Sequence, residues 1–389
     1  MKQLTDIAIG TMPQGVLFGN YGSFLQHFAL RTFLKKNGYS GSRLPWEDEI
    51  AGHRRDSWYR PIVDFVRHQI GHLLHLTRIR RRPDGYTFAE DFRRIKRRKL
   101  FARDWWKCIG PLYEPKSLEC PVRIYGSDQI WSMLSGLELF PIEPLDSCRV
   151  IGYAVSGDWK NAETEAWQKK ARSVLPRYDA LSVREQRGVE LVSRLVARPV
   201  AHVVDPTFLL SREDYLKVAS PRRLFRRPTL FCYLLNLRET GREQVSAVKR
   251  LARMRGLDFK ICAVQGAERF VANHDRLILS PMEFLAAVRD ADCFVTNSFH
   301  GTVFALIFEK PFLTVRQDCE KGSNQNVRMI ELLGKLGLSS RLVPASEIPA
   351  ASGLLNRADE IRPEFMKFVE ESKNWLLRQL AETGLRNML

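Results

Sequence analysis

The chain is 389 residues long, 44% hydrophobic and 27% charged, a balance that excludes a disordered chain, a collagen-like fibre and a disulfide-stapled miniprotein. At ~150 residues per domain, this length makes two or three domains, each able to bury a core without metals or bridges. Lys plus Arg outnumber Asp plus Glu by 61 to 44, a formal net charge of +17, which points to an anionic partner: nucleic acid, an acidic lipid surface or a phosphorylated substrate.

In chain order, Leu4 to Gly10 reads as a buried strand, and a glycine-dotted loop to Ser23 leads into a helix closed by Asn37-Gly38. Strand, glycine loop and helix open an α/β unit. Residues 50–107 differ: they hold 16 Lys or Arg against six Asp or Glu and show no strand signal, so they read as a basic helical insertion. Short strands return at Val122–Tyr125, Val150–Val155 and Ala180–Val183, and Val203-Val204-Asp205-Pro206 closes the first half. The basic residues 219–228 read as a linker. Beyond it, strands at 229–235, 258–264, 292–297 and 311–315 alternate with helices at 241–255, 281–290 and 301–308. This βαβ periodicity predicts an α/β protein of two Rossmann-like domains, 1–218 and 219–389, facing a cleft with ligands at the carboxyl ends of the strands. The last helix, about 363–384, is amphipathic and reads as packing back on the N-terminal domain.

The seven cysteines are scattered and form no CxxC pair, which fits a reducing compartment and argues against a disulfide framework or a cysteine zinc site. The N-terminal apolar patch Ile7-Ala8-Ile9 is too short for a signal-peptide core. No apolar run approaches the ~18 residues of a spanning helix. The expected location is cytoplasmic.

The sharpest chemical signal is Cys293-Phe294-Val295-Thr296-Asn297-Ser298-Phe299-His300-Gly301-Thr302. An apolar strand runs into Ser-Phe-His-Gly and then a helix, whose free N–H groups and positive dipole end suit an anion. Gly301 would let a ligand approach the backbone, and His300 would stand beside it as proton donor or phosphate ligand. The plainer reading is a helix cap by Ser298 or Asn297 with His300 merely packed. Lys310, Arg316, Lys321 and Arg328 follow nearby, each singly read as a solvated surface charge. Arg184, in Ser182-Val183-Arg184-Glu185, sits at the carboxyl end of a predicted strand. Gly126-Ser127-Asp128-Gln129-Ile130-Trp131 and Asn20-Tyr21-Gly22-Ser23 place polar groups at similar points. Neither GxGxxG nor GxxxxGK[ST] occurs, so dinucleotide and P-loop readings lose support.

Taken in order, these motifs, with Gln26, Tyr153-Ala154-Val155-Ser156 and Asp205-Pro206-Thr207, resemble the polysaccharide pyruvyl transferase family. The resemblance implies a fold similar to GT-B glycosyltransferases and transfer of pyruvate from phosphoenolpyruvate to two hydroxyls of a sugar, giving a cyclic ketal. It implies a sugar or lipid-linked saccharide acceptor and no resident cofactor, and no metal ligand is assigned. The family's histidine falls on His300 and its donor-binding arginine on Arg184. Asn20, Tyr21, Gly22, Asn297, Ser298 and Gly301 are carried as further substrate-binding candidates, and Asp128 as the base. Some relatives have arginine two positions before the histidine. Ser298 stands there in this chain, and Arg316 or Lys310 would supply the missing charge.

On a helical wheel, residues 60–79 gather Ile62, Phe65, Val66, Ile70, Leu73, Leu74 and Leu76 on one arc. Arg60, Arg67 and Arg78 flank it on one side, and Asp64, His68, His72 and His75 on the other. Three readings compete: a helix packed on its own domain, an interfacial helix on an anionic inner-membrane surface, and a metal site of Asp64 and the histidines. Two rival functions also stand, a GT-B glycosyltransferase using a nucleotide sugar and a basic nucleic-acid-binding protein, the latter without a recognisable binding module. The interfacial reading expects salt-sensitive flotation with anionic but not neutral liposomes; no recruitment to anionic vesicles would end it.

Overall fold

The computed structural model describes residues 7–11, 20–44, 88–110, 119–132, 148–237, 241–264, 267–317 and 325–384. The first sheet is entirely parallel, in the order β2-β1-β3-β4-β5-β6. Its strands are β1 (Ile7–Gly10), β2 (Gly41–Arg43), β3 (Val122–Tyr125), β4 (Arg149–Val155), β5 (Ala180–Val183) and β6 (Ala201–His202). The second is also parallel, in the order β11-β10-β9-β7-β8. It comprises β7 (Thr229–Leu235), β8 (Asp258–Val264), β9 (Cys293–Thr296), β10 (Phe312–Val315) and β11 (Leu342–Val343). Most strand residues are buried, as expected when helices cover both faces of a parallel sheet. The protein is therefore the two-lobed, GT-B-like α/β structure that the sequence implies.

Helix α1 (Tyr21–Lys36) is buried along most of its length because both lobes press on it. Tyr21 stacks on Phe284 at 4.5 Å, donates its hydroxyl to Leu279 O at 2.8 Å and accepts from Cys262 Sγ at 3.2 Å. Helix α2 (Phe88–Cys108) is the described part of the basic segment. Phe101 and Trp105 pack edge-on against Phe24, while Arg97 Nη2 donates to Ala263 O at 3.0 Å. Asp104 accepts from Met282 N at 3.1 Å, where a carboxylate meets the positive end of a helix dipole. That stretch is a strut between lobes. Residues 50–87, with the amphipathic arc and the Asp64, His68, His72, His75 set, lie outside the described residues.

One helix boundary differs from expectation. The helix after β9 spans Phe299–Ile307 rather than starting at Gly301, because Ser298 caps it by accepting from Gly301 N at 3.3 Å. His300 thus sits inside the first turn. After β6, Asp205 caps a short 3-10 turn, Pro206–Leu209, by accepting from Thr207 N. The helix Pro363–Ala381 returns to the first lobe, where Ser372 Oγ accepts from Val204 N at 3.0 Å. Among the described residues, no helix is long and apolar enough to cross a membrane.

Tyr21→Phe keeps the stack but orphans the Leu279 carbonyl, a loss of about 1–3 kcal/mol. Urea unfolding should show it; an unchanged midpoint would mean the hydroxyl does not help join the lobes.

Candidate functional site

The carboxyl ends of β3, β4, β5 and β6 converge on Asp205. Its Oδ1 accepts from Thr207 N at 3.0 Å and Thr207 Oγ1 at 2.6 Å. Its Oδ2 accepts from Arg184 Nη1 at 2.5 Å and Ser127 Oγ at 3.1 Å, and lies 3.5 Å from His300 Nε2. Burial works against this charge, but His300, Arg184 and Thr207 outweigh it and hold the Asp205 carboxyl far below the usual carboxylate range.

Arg184 is committed on every nitrogen: beyond Asp205, Nε donates to Glu185 Oε1 at 2.9 Å and Nη2 to Ser156 Oγ at 2.8 Å. Glu185 in turn accepts from Ser156 Oγ at 2.7 Å and Trp159 Nε1 at 3.1 Å. A bulge makes this possible. The β4–β5 register shifts between Gly152 and Val155, with Ala154 at φ 49°. Ser182 Oγ fills the break, accepting from Ala154 N and donating to Gly152 O, both at 3.0 Å. Bulges re-aim the residues that follow, here Ser156. At the end of β3, Gly126 has φ +142° and a Cβ there would lie 2.0 Å from Tyr153 O, so only glycine brings Ser127 up to Asp205. Gln26 Oε1 holds Ser127 N at 3.2 Å.

His300 comes from the second lobe and is 5% exposed. Its ring lies on Gly22 of the first lobe, where a Cβ would stand 2.2 Å from Nδ1. Next to it, the Phe299 ring faces the Arg184 guanidinium at 4.2 Å and that of Arg328 at 5.8 Å. Phe299 and the two guanidiniums line a cavity of about 170 Å³ whose wall also includes Asp205, Lys335 and Phe368, with His300 and Asp128 behind that wall, reached through Asp205 and Arg328.

Of the expected site residues, the fold brings Arg184, Asp128 and His300 together: Asp128 Oδ1 lies 3.8 Å from Arg328 Nη1, and Arg184 and His300 share Asp205. Others do different work. Asn297 spends its side chain on Leu235 N and O, both at 2.9 Å, pinning β7. Ser298 caps its helix. Gly301 is glycine for packing, since a Cβ would lie 2.3 Å from Thr296 Oγ1. Asn20 caps α1 by accepting from Ser23 N, Tyr21 rivets the lobes and Gly22 makes room for His300. Lys310 is at the opposite, amino-terminal edge of the sheet, donating to Arg289 O at 2.5 Å and Ala291 O at 2.9 Å, so it terminates a helix rather than meeting a ligand. Arg316 is exposed and outside the cavity wall. Lys321 lies outside the described residues.

Sequence reasoning assigned no role to Asp205, Glu185, Ser127, Ser156 or Phe299. An Asp-Pro-Thr step after a strand does signal a capped turn, but its second carboxylate oxygen is given partners only by the fold. Among the described residues no group of three or more His, Cys, Asp or Glu is placed to hold a metal.

A family model described as polysaccharide pyruvyl transferase matches residues 20–318. No curated protein matches the chain. Among solved structures the chain is similar to UDP-GlcNAc 2-epimerase from Methanocaldococcus jannaschii, at 12% identity and TM-score 0.49 over 97% of this chain and 99% of that one. It is also similar to UDP-GlcNAc 2-epimerase from Neisseria meningitidis, at 9% and 0.48 over 97% and 99%, and to CalG4, the calicheamicin glycosyltransferase, at 11% and 0.45 over 98% of each. Likeness at that level says nothing of this chain's chemistry.

Because the Asp205 carboxyl titrates lower in the fold than in the unfolded chain, its stabilisation is fully present above the ordinary carboxylate range and is lost as pH falls through the folded value. Asp205→Asn should cost about 3–5 kcal/mol near neutrality by breaking a buried ion pair, and should flatten the acid limb of the stability curve. An acid limb identical to wild type would remove Asp205 from this role.

Proposed function

Because the chain belongs to the polysaccharide pyruvyl transferase family, a family of transferases acting on polysaccharide, we propose that it moves pyruvate from phosphoenolpyruvate onto a saccharide as a cyclic ketal, releasing phosphate. The observation that carries this reading is the junction of His300 with Asp205 and Arg184 beside a cavity that both lobes line. The donor carries a carboxylate and a phosphate, and needs cations, a proton source and exclusion of water.

His300 supplies the proton. Transferred to the methylene carbon of the enol, it makes that carbon a methyl group and leaves C2 cationic. A sugar hydroxyl attacks C2, the bond from C2 to the phosphate oxygen breaks, and a second hydroxyl of the same sugar closes the ring on C2. The two hydroxyls lose two protons: one leaves with phosphate as hydrogen phosphate and the other restores His300. Asp205 faces the ring and offers its protonated form a counter-charge. Arg184 holds the donor through the second N–H that each terminal nitrogen retains beyond its bond to Asp205 or Ser156. Asp128, at the carboxyl end of β3, takes the proton of the attacking hydroxyl and passes it to the departing phosphate, so that it is the proton that leaves as hydrogen phosphate. The acceptor reaches the site in the cytoplasm, and a lipid-linked one would bring the protein to the inner membrane surface.

Phosphate release from phosphoenolpyruvate should depend on a saccharide acceptor, and His300→Ala should lower it ~10²–10⁴-fold with the circular dichroism of the wild type. Near wild-type turnover in that variant, or release of a nucleoside diphosphate from a nucleotide sugar instead, would contradict the proposal.

A further inference from the structure

Arg328 stands at this site with its charge largely unmet. It projects from the helix Gln325–Leu336, is 8% exposed and forms part of the cavity wall. Its Nε is buried without a hydrogen-bond partner. Among the described residues its recorded ion pair is with Asp128, at 3.8 Å, beyond hydrogen-bond range. Arg184, by contrast, donates from all three nitrogens and is bracketed by two carboxylates. Burial and the nearby charge of Arg184 bring Arg328 down to about 10. A buried guanidinium with so few acceptors is costly, and groups of that kind concentrate where a ligand completes them. Two arginines beside one aromatic ring, only one of them with its hydrogen bonds met among the described residues, describe half of an anion site. No cation stands at Ser298, and Lys310 and Arg316 lie elsewhere; the cavity's other cation, Lys335, sits over the Phe368 ring at 3.7 Å and beside His202 Nδ1 at 3.2 Å, which leaves Arg328 as the guanidinium beside Arg184 and Phe299.

We propose that Arg328 is that second arm: on donor binding its guanidinium leaves Asp128 and takes a carboxylate or phosphate oxygen of phosphoenolpyruvate. The inference rests on the functional reading above and adds a residue and an order of events. While the donor site is empty, Arg328 occupies the Asp128 carboxylate electrostatically. Once the donor is bound, Asp128 is released to accept the proton of the sugar hydroxyl, so donor precedes acceptor. The planar fork of arginine suits a two-oxygen acceptor.

The test compares wild type, Arg328→Met and Arg328→Lys by calorimetric titration with phosphoenolpyruvate, by steady-state kinetics and by ligand-free thermal unfolding. Loss of a charged hydrogen bond in Arg328→Met should weaken donor binding about ten- to hundredfold, with KM for the donor rising more than kcat falls, and Arg328→Lys should recover part of it. The ligand-free Arg328→Met protein should melt no lower than wild type, since the change removes a buried charge that lacks partners. Donor affinity within about twofold of wild type in Arg328→Met would overturn the inference while leaving the functional reading in place. So would a ligand-free melting temperature several degrees lower that Arg328→Lys restores without restoring donor affinity, the mark of a structural brace. A wild-type protein that neither binds phosphoenolpyruvate nor releases phosphate from it would overturn the functional reading, and this inference with it.

Discussion

One oxygen atom, Oδ2 of Asp205, sets the geometry of the site. Arg184 and Ser127 reach it from the first lobe and His300 faces it from the second. A carboxylate buried this deeply is tolerable only when its neighbours supply charge and hydrogen bonds in fixed directions. Each neighbour therefore needs a support of its own: Gln26 for Ser127, the Ser182-filled bulge for Ser156 and Arg184, Gly22 for the imidazole. Drawing the lobes apart would uncover this carboxylate together with Tyr21, so the geometry around Asp205 and the seam between lobes are coupled. In the proposed reaction that coupling keeps water from the enol while the ring beside Asp205 gives up its proton.

The fold was largely legible because parallel strands buried on both faces leave near-continuous apolar runs, as at Thr229–Leu235 and Asp258–Val264, and amphipathic helices separate them. Boundaries were less so where a side chain overrides the pattern. Ser298 starts its helix two residues early. At the site, Arg184 and His300 follow strand ends in the sequence, and the structure brings both to Asp205. Roles that depend on reach were not legible. Asn297 and Ser298 sit in the same motif as His300, but Asn297 turns to the Leu235 backbone and Ser298 to its own helix, and Lys310 lies at the opposite end of the sheet from Asp205. Arg328 was visible only as another basic residue, because nothing local distinguishes a guanidinium facing a cavity from one facing solvent.

The overall charge misleads in a related way. Residues 50–107 supply ten of the net +17, yet the described portion of that segment places Arg97, Phe101 and Trp105 in packing between the lobes. The site itself is close to balanced, with Arg184, Arg328 and His300 against Asp205, Glu185 and Asp128. Attraction for a small anion there depends less on the protein's surplus of cations than on one guanidinium that the fold leaves incompletely paired. Local bookkeeping of this kind, carboxylate by carboxylate, is what separates a ligand site from a structural ion-pair network.

The most direct test of this account is a crystal structure with phosphoenolpyruvate bound. The account places the donor in the cavity between the lobes, its anionic groups on Arg184 and Arg328 and its methylene carbon toward the His300 ring. A donor seated away from that cavity, or one whose methylene carbon turns from His300 with both arginines still on their protein partners, would contradict it.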